Sequence, residues 1–293
     1  MMINGRDNAL IYMSPVIPRF ADARDDYGIF ADLAARMGVG EEFTEGLDAG
    51  GWLRRIWQGC REVASGEGFE LPPFEDFRAR GRIDLPQLAE ERDSMADFVA
   101  DPDAAPLRTE SGRLTLFNDT IAAMGLADCP GHPAWIEPVE WLGKAQGDEL
   151  HLISGQPMTR LHSQLDNGAV SLGAKGRGRE TCRLHPRAAA KIGAAAGDIV
   201  FLWNERGACL AALEISDDIR PDCVALPTGA WYDPVTIADQ RIEIRGNPNV
   251  LTIDMGTSEL AQGNIGHTAL VRVRRWHGQL PEVSPPRPAL RTL

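Results

Sequence analysis

Cysteine is scarce in this sequence, and its spacing excludes the common metal and disulfide scaffolds. The 293 residues include only 5 cysteines, an odd number, at Cys60, Cys129, Cys182, Cys209 and Cys223. No Cys-x-x-Cys pair occurs, and no histidine lies at metal-ligand spacing from a cysteine. We therefore expect reduced, mostly buried thiols, and we assign no metal ligand.

Long hydrophobic runs are also absent. The longest apolar stretches, such as residues 199–203, are far too short to cross a bilayer. The N-terminal residues show no charged region leading into an apolar one, so export is not indicated. We expect no association with a membrane.

Basic residues are fewer than acidic ones. The chain has 30 Lys and Arg against 42 Asp and Glu, a net charge of −12, which argues against nucleic acid as a partner for the whole surface. Hydrophobic residues make up 43% and charged residues 25%, so the chain can bury a core and disorder is excluded.

Familiar catalytic signatures are missing as well. There is no Gly-x-Gly-x-x-Gly after a strand, no Walker loop, no His-Glu-x-x-His and no Gly-x-Ser-x-Gly. His162 and Cys209 have no evident partner for a nucleophilic dyad, and we assign no catalytic residue. We expect structural roles for the other histidines, which are His132, His151, His185, His267 and His277.

The first half of the chain has a helical and irregular pattern. Apolar spacing predicts a helix behind Asp25 and Asp26 that ends at Gly38, and a second helix over residues 48–63. Glycine and proline break up residues 66–106, which predicts a segment that wraps over a surface without long elements. A strand is predicted over 113–117, followed by a helix from Asn118 through Met124.

After Gly147, short β-rich runs recur about every ten residues, which predicts a small closed barrel. The runs are residues 150–154, 181–184, 199–203, 208–215, 223–226, 241–244 and 268–274. One short helix is predicted from Pro186 to Ile192, with proline in its first turn. The proline-rich residues 280–293 are expected to be extended or loose.

Three loops in this half concentrate polar side chains. Residues 154–164 combine hydroxyls, amides, an arginine and a histidine, which suits a polar, heterocyclic or phosphorylated ligand or else a solvated loop. Residues 246–249 and 256–264 offer amides and hydroxyls beside glycine or proline, with ordinary turn chemistry as the alternative. Six cations between Lys175 and Lys191 could hold a pyrophosphate or form a solvated face.

Several motifs, taken in order, resemble one family. They include Leu152-Ile153-Ser154, Arg160-Leu161-His162-Ser163-Gln164, Thr228-Gly229-Ala230-Trp231-Tyr232-Asp233-Pro234, Gly246-Asn247-Pro248-Asn249 and Gly256-Thr257-Ser258, with Asp128-Cys129-Pro130-Gly131-His132-Pro133 upstream. The chain is similar to the C-terminal part of the dimethyl sulfoxide, trimethylamine N-oxide and biotin sulfoxide reductases. These are molybdenum enzymes with a bis(molybdopterin guanine dinucleotide) cofactor.

The resemblance implies an α+β fold, in which an irregular helical N-terminal segment precedes a six-stranded double-psi β-barrel that binds the molybdopterin dinucleotide. Residues 1–146 would be the remainder of the catalytic region, 147–278 the barrel and 279–293 a proline-rich tail. The residues implied to face the cofactor are Ser154, Gln156, Arg160, His162, Ser163, Gln164, Asn247, Asn249 and Gln262.

The resemblance also implies a function that this chain does not complete alone. The family's metal-ligand region lies before the point where this chain begins, and neither Ser14 nor Ser163 is assigned as that ligand. The chain would be a truncated reading frame, one half of a split enzyme or a fragment, inactive without the N-terminal region. The complete enzyme would reduce a small S-oxide or N-oxide in the cytoplasm, or in the periplasm if an upstream export signal exists. The alternative is a stand-alone barrel module that binds a nucleotide-like ligand or a partner protein.

Overall fold

The computed structural model describes residues 8–19, 21–86 and 95–284. Chain contacts divide the protein into two compact units, Met1–Leu107 and Arg108–Leu293. Within the described ranges, no helix is long and apolar enough to cross a membrane.

The first unit is mainly helical. Its elements are β1 (Ala9–Ile11), α1 (Asp26–Arg36), α2 (Gly40–Thr44), α3 (Ala49–Gly66), α4 (Phe74–Arg80), β2 (Arg82–Asp84) and α5 (Ala96–Ala100). Helix α1 begins where the Asp25 side chain accepts the Gly28 N–H at 2.7 Å, and α3 begins where Asp48 accepts the Gly51 N–H at 2.7 Å. Both predicted helices are confirmed.

The core of this unit is formed partly by residues that were expected to lie on a surface. Phe77 of α4 is fully buried, and its ring stacks on Trp57 of α3 at a centroid distance of 4.0 Å. The Trp57 indole also donates to the carbonyl of Pro72 at 2.9 Å. The prediction that residues 66–106 only wrap over a surface is therefore wrong for residues 74–84. This stretch contains no proline, so α4 and β2 can form and their apolar residues pack inward. Residues 87–94 lie outside the described ranges.

The second unit opens with an irregular segment. Helix α6 (Asp119–Ala123) starts where Asn118 accepts the Ile121 N–H at 2.9 Å, as predicted. The strand predicted over 113–117 is wrong, because these residues form bends and irregular backbone, and Leu114 and Leu116 remain exposed. A single 3₁₀ turn, Leu142–Lys144, leads to the first barrel strand.

Six strands close into a barrel. The unit's remaining strands and α-helices are β3 (Leu150–Ile153), α7 (Ala169–Gly173), β4 (Thr181–Leu184), α8 (Pro186–Lys191), β5 (Ile199–Trp203), β6 (Ala208–Ile215), β7 (Cys223–Ala225), β8 (Pro234–Ile237), β9 (Gln240–Glu243) and β10 (Ala269–Arg275), and a second 3₁₀ turn spans Pro248–Val250. The order β4-β7-β3-β10-β5-β6 returns to β4 through the parallel pair Thr181↔Ala212 to Leu184↔Ile215. The ring contains both parallel and antiparallel pairs, and the predicted α+β class and six-stranded barrel are confirmed.

Side chains from the strands fill the barrel interior. Leu152, Leu184, Leu202 and Val224 are fully buried there, which matches the apolar runs that predicted the strands. The hairpin β8–β9, of which β8 was not predicted, extends the sheet beyond β6 and covers a second apolar cluster with Ile242. Leu280 and Val283 pack on that cluster, so the first residues of the tail are not loose, while residues 285–293 lie outside the described ranges.

Candidate functional site

The loop after β3 carries most of the predicted site residues. Its first residue, Ser154, is buried at the end of the strand. Gln156 and His162 bond twice, since the Gln156 Oε1 accepts the His162 N–H at 2.9 Å and the Gln156 Nε2 lies 2.8 Å from His162 Nδ1. His162 has a φ of 48°. This pair bends the loop so that His162 and Ser163 stand exposed at its tip.

A turn before β8 forms the opposite wall. Gly229 has a φ of 94°, and a Cβ atom there would lie 1.9 Å from the carbonyl oxygen of His162, so only glycine permits this approach. The Trp231 indole donates to the carbonyl of Ser163 at 2.9 Å. The two segments are therefore in direct contact.

The third segment follows β9, and the Glu243 side chain fixes its backbone through hydrogen bonds. The Glu243 carboxylate is 1% exposed and accepts the backbone N–H groups of Arg245, Gly246 and Asn247 at 2.7 to 2.8 Å. Burial raises the pKa of Glu243 above its ordinary value, and these N–H donors oppose that rise. Asn247 donates to the carbonyl of Ala230 at 2.8 Å and accepts the Asn249 N–H at 3.0 Å. This loop is thereby joined to the turn before β8.

The three segments enclose a cleft of about 390 Å³. It is lined by His162, Ser163, Thr228, Gly229, Ala230, Trp231, Tyr232, Asn247 and Asn249. Among these described lining residues none is acidic, and hydroxyls, amides, an imidazole and two aromatic rings face a common space. Such a set offers hydrogen-bond donors and acceptors together with flat faces, which suits a polar heterocycle.

The structure brings together only part of the predicted set. His162, Ser163, Asn247 and Asn249 line the cleft, whereas Ser154 and Arg160 have buried side chains away from its lining. Gln164 is exposed beside the tip. Gln262 belongs to a separate exposed loop, where its amide donates to the carbonyl of Ser258 at 2.7 Å. The predicted contacts of these other residues with a ligand stay predictions.

Several residues of the site were not singled out from the sequence. Thr228, Gly229, Trp231 and Tyr232 belong to a motif that carried the family resemblance, but no residue of that motif was given a role. A glycine two positions before a pair of aromatic residues, shortly after a β-rich run, was the available signal. Glu243 gave none, because an acidic residue at a strand end is usually solvated.

The basic run from Lys175 to Lys191 does not assemble as one phosphate site. Lys175 is buried between Asp166 and Glu180, at 2.6 and 2.7 Å. Arg183 pairs with Glu214 at 3.1 Å on the exposed side of β4. Arg179 is buried and donates to the carbonyls of Arg177 and Pro281. The basic residues are therefore divided among separate surroundings.

The buried thiols of the barrel are poor nucleophiles. All five cysteines lie in the described ranges and are unpaired, and Cys182, Cys209 and Cys223 are buried. Burial raises the pKa of Cys182 to about 12, and it raises the pKa of Cys209 as well. Among the described residues, no group of three or more His, Cys, Asp and Glu side chains could hold a metal ion.

Comparison with known proteins defines the class of the barrel. Residues 150–270 match the molydopterin dinucleotide binding domain. Acetylene hydratase from Pelobacter acetylenicus superimposes with a TM-score of 0.58 at 18% identity, over 92% of this chain and 35% of that chain. The barrel is a molydopterin dinucleotide-binding domain, and the likeness to the hydratase shows the shared fold.

Sequence relatives extend the match to nearly the whole chain. The biotin sulfoxide reductase of Cereibacter sphaeroides is 45% identical over 276 residues, which cover 94% of this chain and 37% of that protein. Trimethylamine-N-oxide reductase 1 of Escherichia coli K12 is 39% identical over 289 residues, which cover 96% of this chain and 34% of that protein. The chain is a homologue of these S- and N-oxide reductases, which confirms the predicted resemblance. It spans about a third of their length. By this resemblance, the cofactor indicated is a bis(molybdopterin guanine dinucleotide) molybdenum group.

Proposed function

We propose that the chain is the cofactor-binding part of a molybdenum oxidoreductase that reduces S-oxides or N-oxides. The observation that carries the proposal is the cleft of about 390 Å³, lined by neutral polar and aromatic residues, within the domain that matches the molydopterin dinucleotide binding family. In this proposal residues 147–278 are the cofactor-binding domain, and residues 1–146 belong to the catalytic region.

The residues of the cleft suit the group. His162, Ser163, Thr228 and Asn249 would hydrogen-bond the edges of a guanine or pterin ring, and Trp231 and Tyr232 would lie against its faces. The bound group supplies the oxygen-atom transfer chemistry, and the chain's own residues bind and orient it. The amides beside the rings offer donors and acceptors side by side, which favours a heterocycle over a simple anion.

We further propose that a larger catalytic region covers the first unit. Helix α1 exposes Ile29, Phe30 and Leu33, and Met37 continues the stripe at its C-terminal end, with exposures of 43% to 70%. At 100° per residue these four side chains lie within one narrow stripe. An apolar stripe of this kind is typical of a surface that packs against protein. Since the relatives are about three times as long as the matched region, the remainder of that architecture is the proposed partner.

The proposal is tested in a chimera, in which this chain replaces the matching region of the Cereibacter biotin sulfoxide reductase. The chimera should contain molybdenum and guanine nucleotide and reduce biotin sulfoxide, whereas the chain alone should retain neither tightly. His162→Ala and Asn247→Ala should lower the molybdenum content per protein. His162→Ala removes a hydrogen bond to the cofactor, and Asn247→Ala removes the bond to the Ala230 carbonyl that joins two walls of the cleft.

His277→Ala is the matched control, since His277 is an exposed residue beyond β10. It should leave the molybdenum content unchanged. Equal content in all three variants, with equal melting curves, would place the cofactor outside this cleft. Stoichiometric molybdenum on the isolated chain would instead favour a barrel module that acts alone.

A further inference from the structure

Four charged side chains lie buried behind the cleft. The side chains of Arg160, Asp166 and Lys175 are each 1% exposed and that of Glu180 is 6% exposed. Two positive and two negative charges balance within this cluster. Because a buried charge without a partner is strongly destabilising, each member depends on the others.

Arg160 connects the two walls of the cleft through this cluster. Its Nε donates to the carbonyl of His162 at 3.1 Å, on the loop after β3, and its Nη2 donates to the carbonyl of Thr228 at 2.8 Å, on the turn before β8. Its Nη1 donates to the Ser171 hydroxyl at 3.1 Å and lies 3.1 Å from Glu180. Among side chains, only the planar guanidinium of arginine has enough donors, in fixed directions, to bond all four of these acceptors at the same time.

Asp166 adds a second link between the same walls. One of its carboxylate oxygens accepts the Lys175 ammonium at 2.6 Å, and the other accepts the backbone N–H of Trp231 at 3.2 Å. The Trp231 indole in turn donates to the carbonyl of Ser163. The position of Trp231 therefore reports whether the walls are joined.

We propose that Arg160 is a positioning residue, which sets the width of the cleft by clamping the carbonyls of His162 and Thr228. Its role differs from the cofactor contact that the family resemblance implies for it. The ligand-binding consequence rests on the proposed function, whereas the clamp itself does not. In this role the charge of Arg160 balances the cluster, and the shape of its guanidinium joins the walls.

Arg160→Lys separates the effect of the charge from that of the side-chain shape. Lysine keeps the cluster neutral, but it cannot hydrogen-bond the carbonyls of His162 and Thr228, the Ser171 hydroxyl and Glu180 at the same time. The variant of the full chain should fold. The ¹H–¹⁵N resonance of the Trp231 indole, assigned with Trp231→Phe, should shift and lose its protection from solvent exchange. The affinity for GDP, the probe for a guanine dinucleotide, should fall about tenfold, because displaced walls would weaken contacts equivalent to roughly one hydrogen bond.

Arg183→Lys is the matched control, because Arg183 pairs with Glu214 on the exposed side of the same barrel. It should change neither the Trp231 resonance nor the affinity for GDP. Ser171→Ala removes a single acceptor of Arg160 and keeps all four charges, so it should shift the Trp231 resonance in the same direction by a smaller amount. This variant decides the question if Arg160→Lys does not fold.

A Trp231 resonance that stays unmoved in the folded variants overturns the clamp. If the unsubstituted chain does not bind GDP while the Trp231 resonance moves as expected, the clamp is supported and the guanine-binding part of the proposed function fails. Tighter or equal GDP binding in a variant with a shifted resonance would show that wall position does not set affinity, which also overturns the proposal.

Discussion

Gly229 is the residue at which one added methyl group would disturb the cleft most. Its φ of 94° is unfavourable for any side chain, and a Cβ atom would lie 1.9 Å from the carbonyl oxygen of His162. The wall would have to move to admit it. The same carbonyl accepts from Arg160, so the displacement would also weaken the clamp.

We therefore predict that Gly229→Ala lowers the free energy of unfolding by about 1–3 kcal/mol, the range for backbone strain at one position. Denaturation in urea measures the change. Gly173→Ala is the control, since a Cβ atom at the end of α7 would meet nothing within 4 Å and should change stability by less than about 0.5 kcal/mol. Equal stability of the two variants would contradict the close approach of the walls.

At the scale of elements, the loop after β9 depends on the charge state of Glu243. Burial raises its pKa above the ordinary 4.5 in the folded chain. A raised pKa means that the folded protein binds the proton more tightly than the unfolded chain does. The contribution of the protonated Glu243 to the free energy of unfolding is complete below pH 4.5, and it is lost as the pH rises through the folded-state pKa.

The expected result is a pH-dependent difference between the unsubstituted chain and Glu243→Gln. The free energy of unfolding of the unsubstituted chain, relative to that of the variant, should decrease as the pH rises above 4.5. The decrease should be about 1.4 kcal/mol for each pH unit until the folded-state pKa is reached. Melting measured from pH 4 upward tests this. Glu214→Gln, a change in an exposed ion pair, is the matched control. A constant difference across the range would rule out the raised pKa.

At the scale of the whole molecule, the first unit exposes several large apolar side chains. Besides the stripe on α1, the segment before this helix exposes Met13, Val16 and Ile17, which are 63%, 94% and 73% exposed. Exposed apolar patches of this kind promote association. The isolated chain should therefore form oligomers that dissociate on dilution.

Sedimentation measured over a range of concentrations tests this expectation. Phe30→Glu combined with Leu33→Glu should shift the chain toward the monomer, because charge on the stripe opposes its burial. Val170→Glu is the control, since Val170 is 72% exposed in the other unit. If the unsubstituted chain is monomeric at every concentration and melts cooperatively, the stripe is no interface and the chain is a module that acts alone.

Local pattern was enough to place most barrel strands. Strands β4, β5 and β6 have the predicted bounds. Continuous apolar runs between turn residues are typical of strands buried on both faces, as in β5 and β6, whereas β4 alternates buried and more exposed residues. Helix α1 was predicted from its apolar spacing and its aspartate cap, and α3 from its apolar spacing, with the Asp48 cap shown by the structure. Strand β8 was not predicted, because Pro234–Ile237 is short and begins with proline. Helix α4 was not predicted, because prolines precede it and follow β2.

The sequence by itself determined the strand and helix pattern, the family resemblance and the polar loops from which a ligand site could be inferred. Only the tertiary structure decided which polar residues share the cleft. Arg160 and His162 are two positions apart, yet one lies buried in an ion cluster and the other stands exposed at the loop tip. The reason is that burial of Arg160 depends on the nearby Asp166 and also on Glu180 and the carbonyl of Thr228. The last two are distant along the chain and meet Arg160 only when the barrel closes.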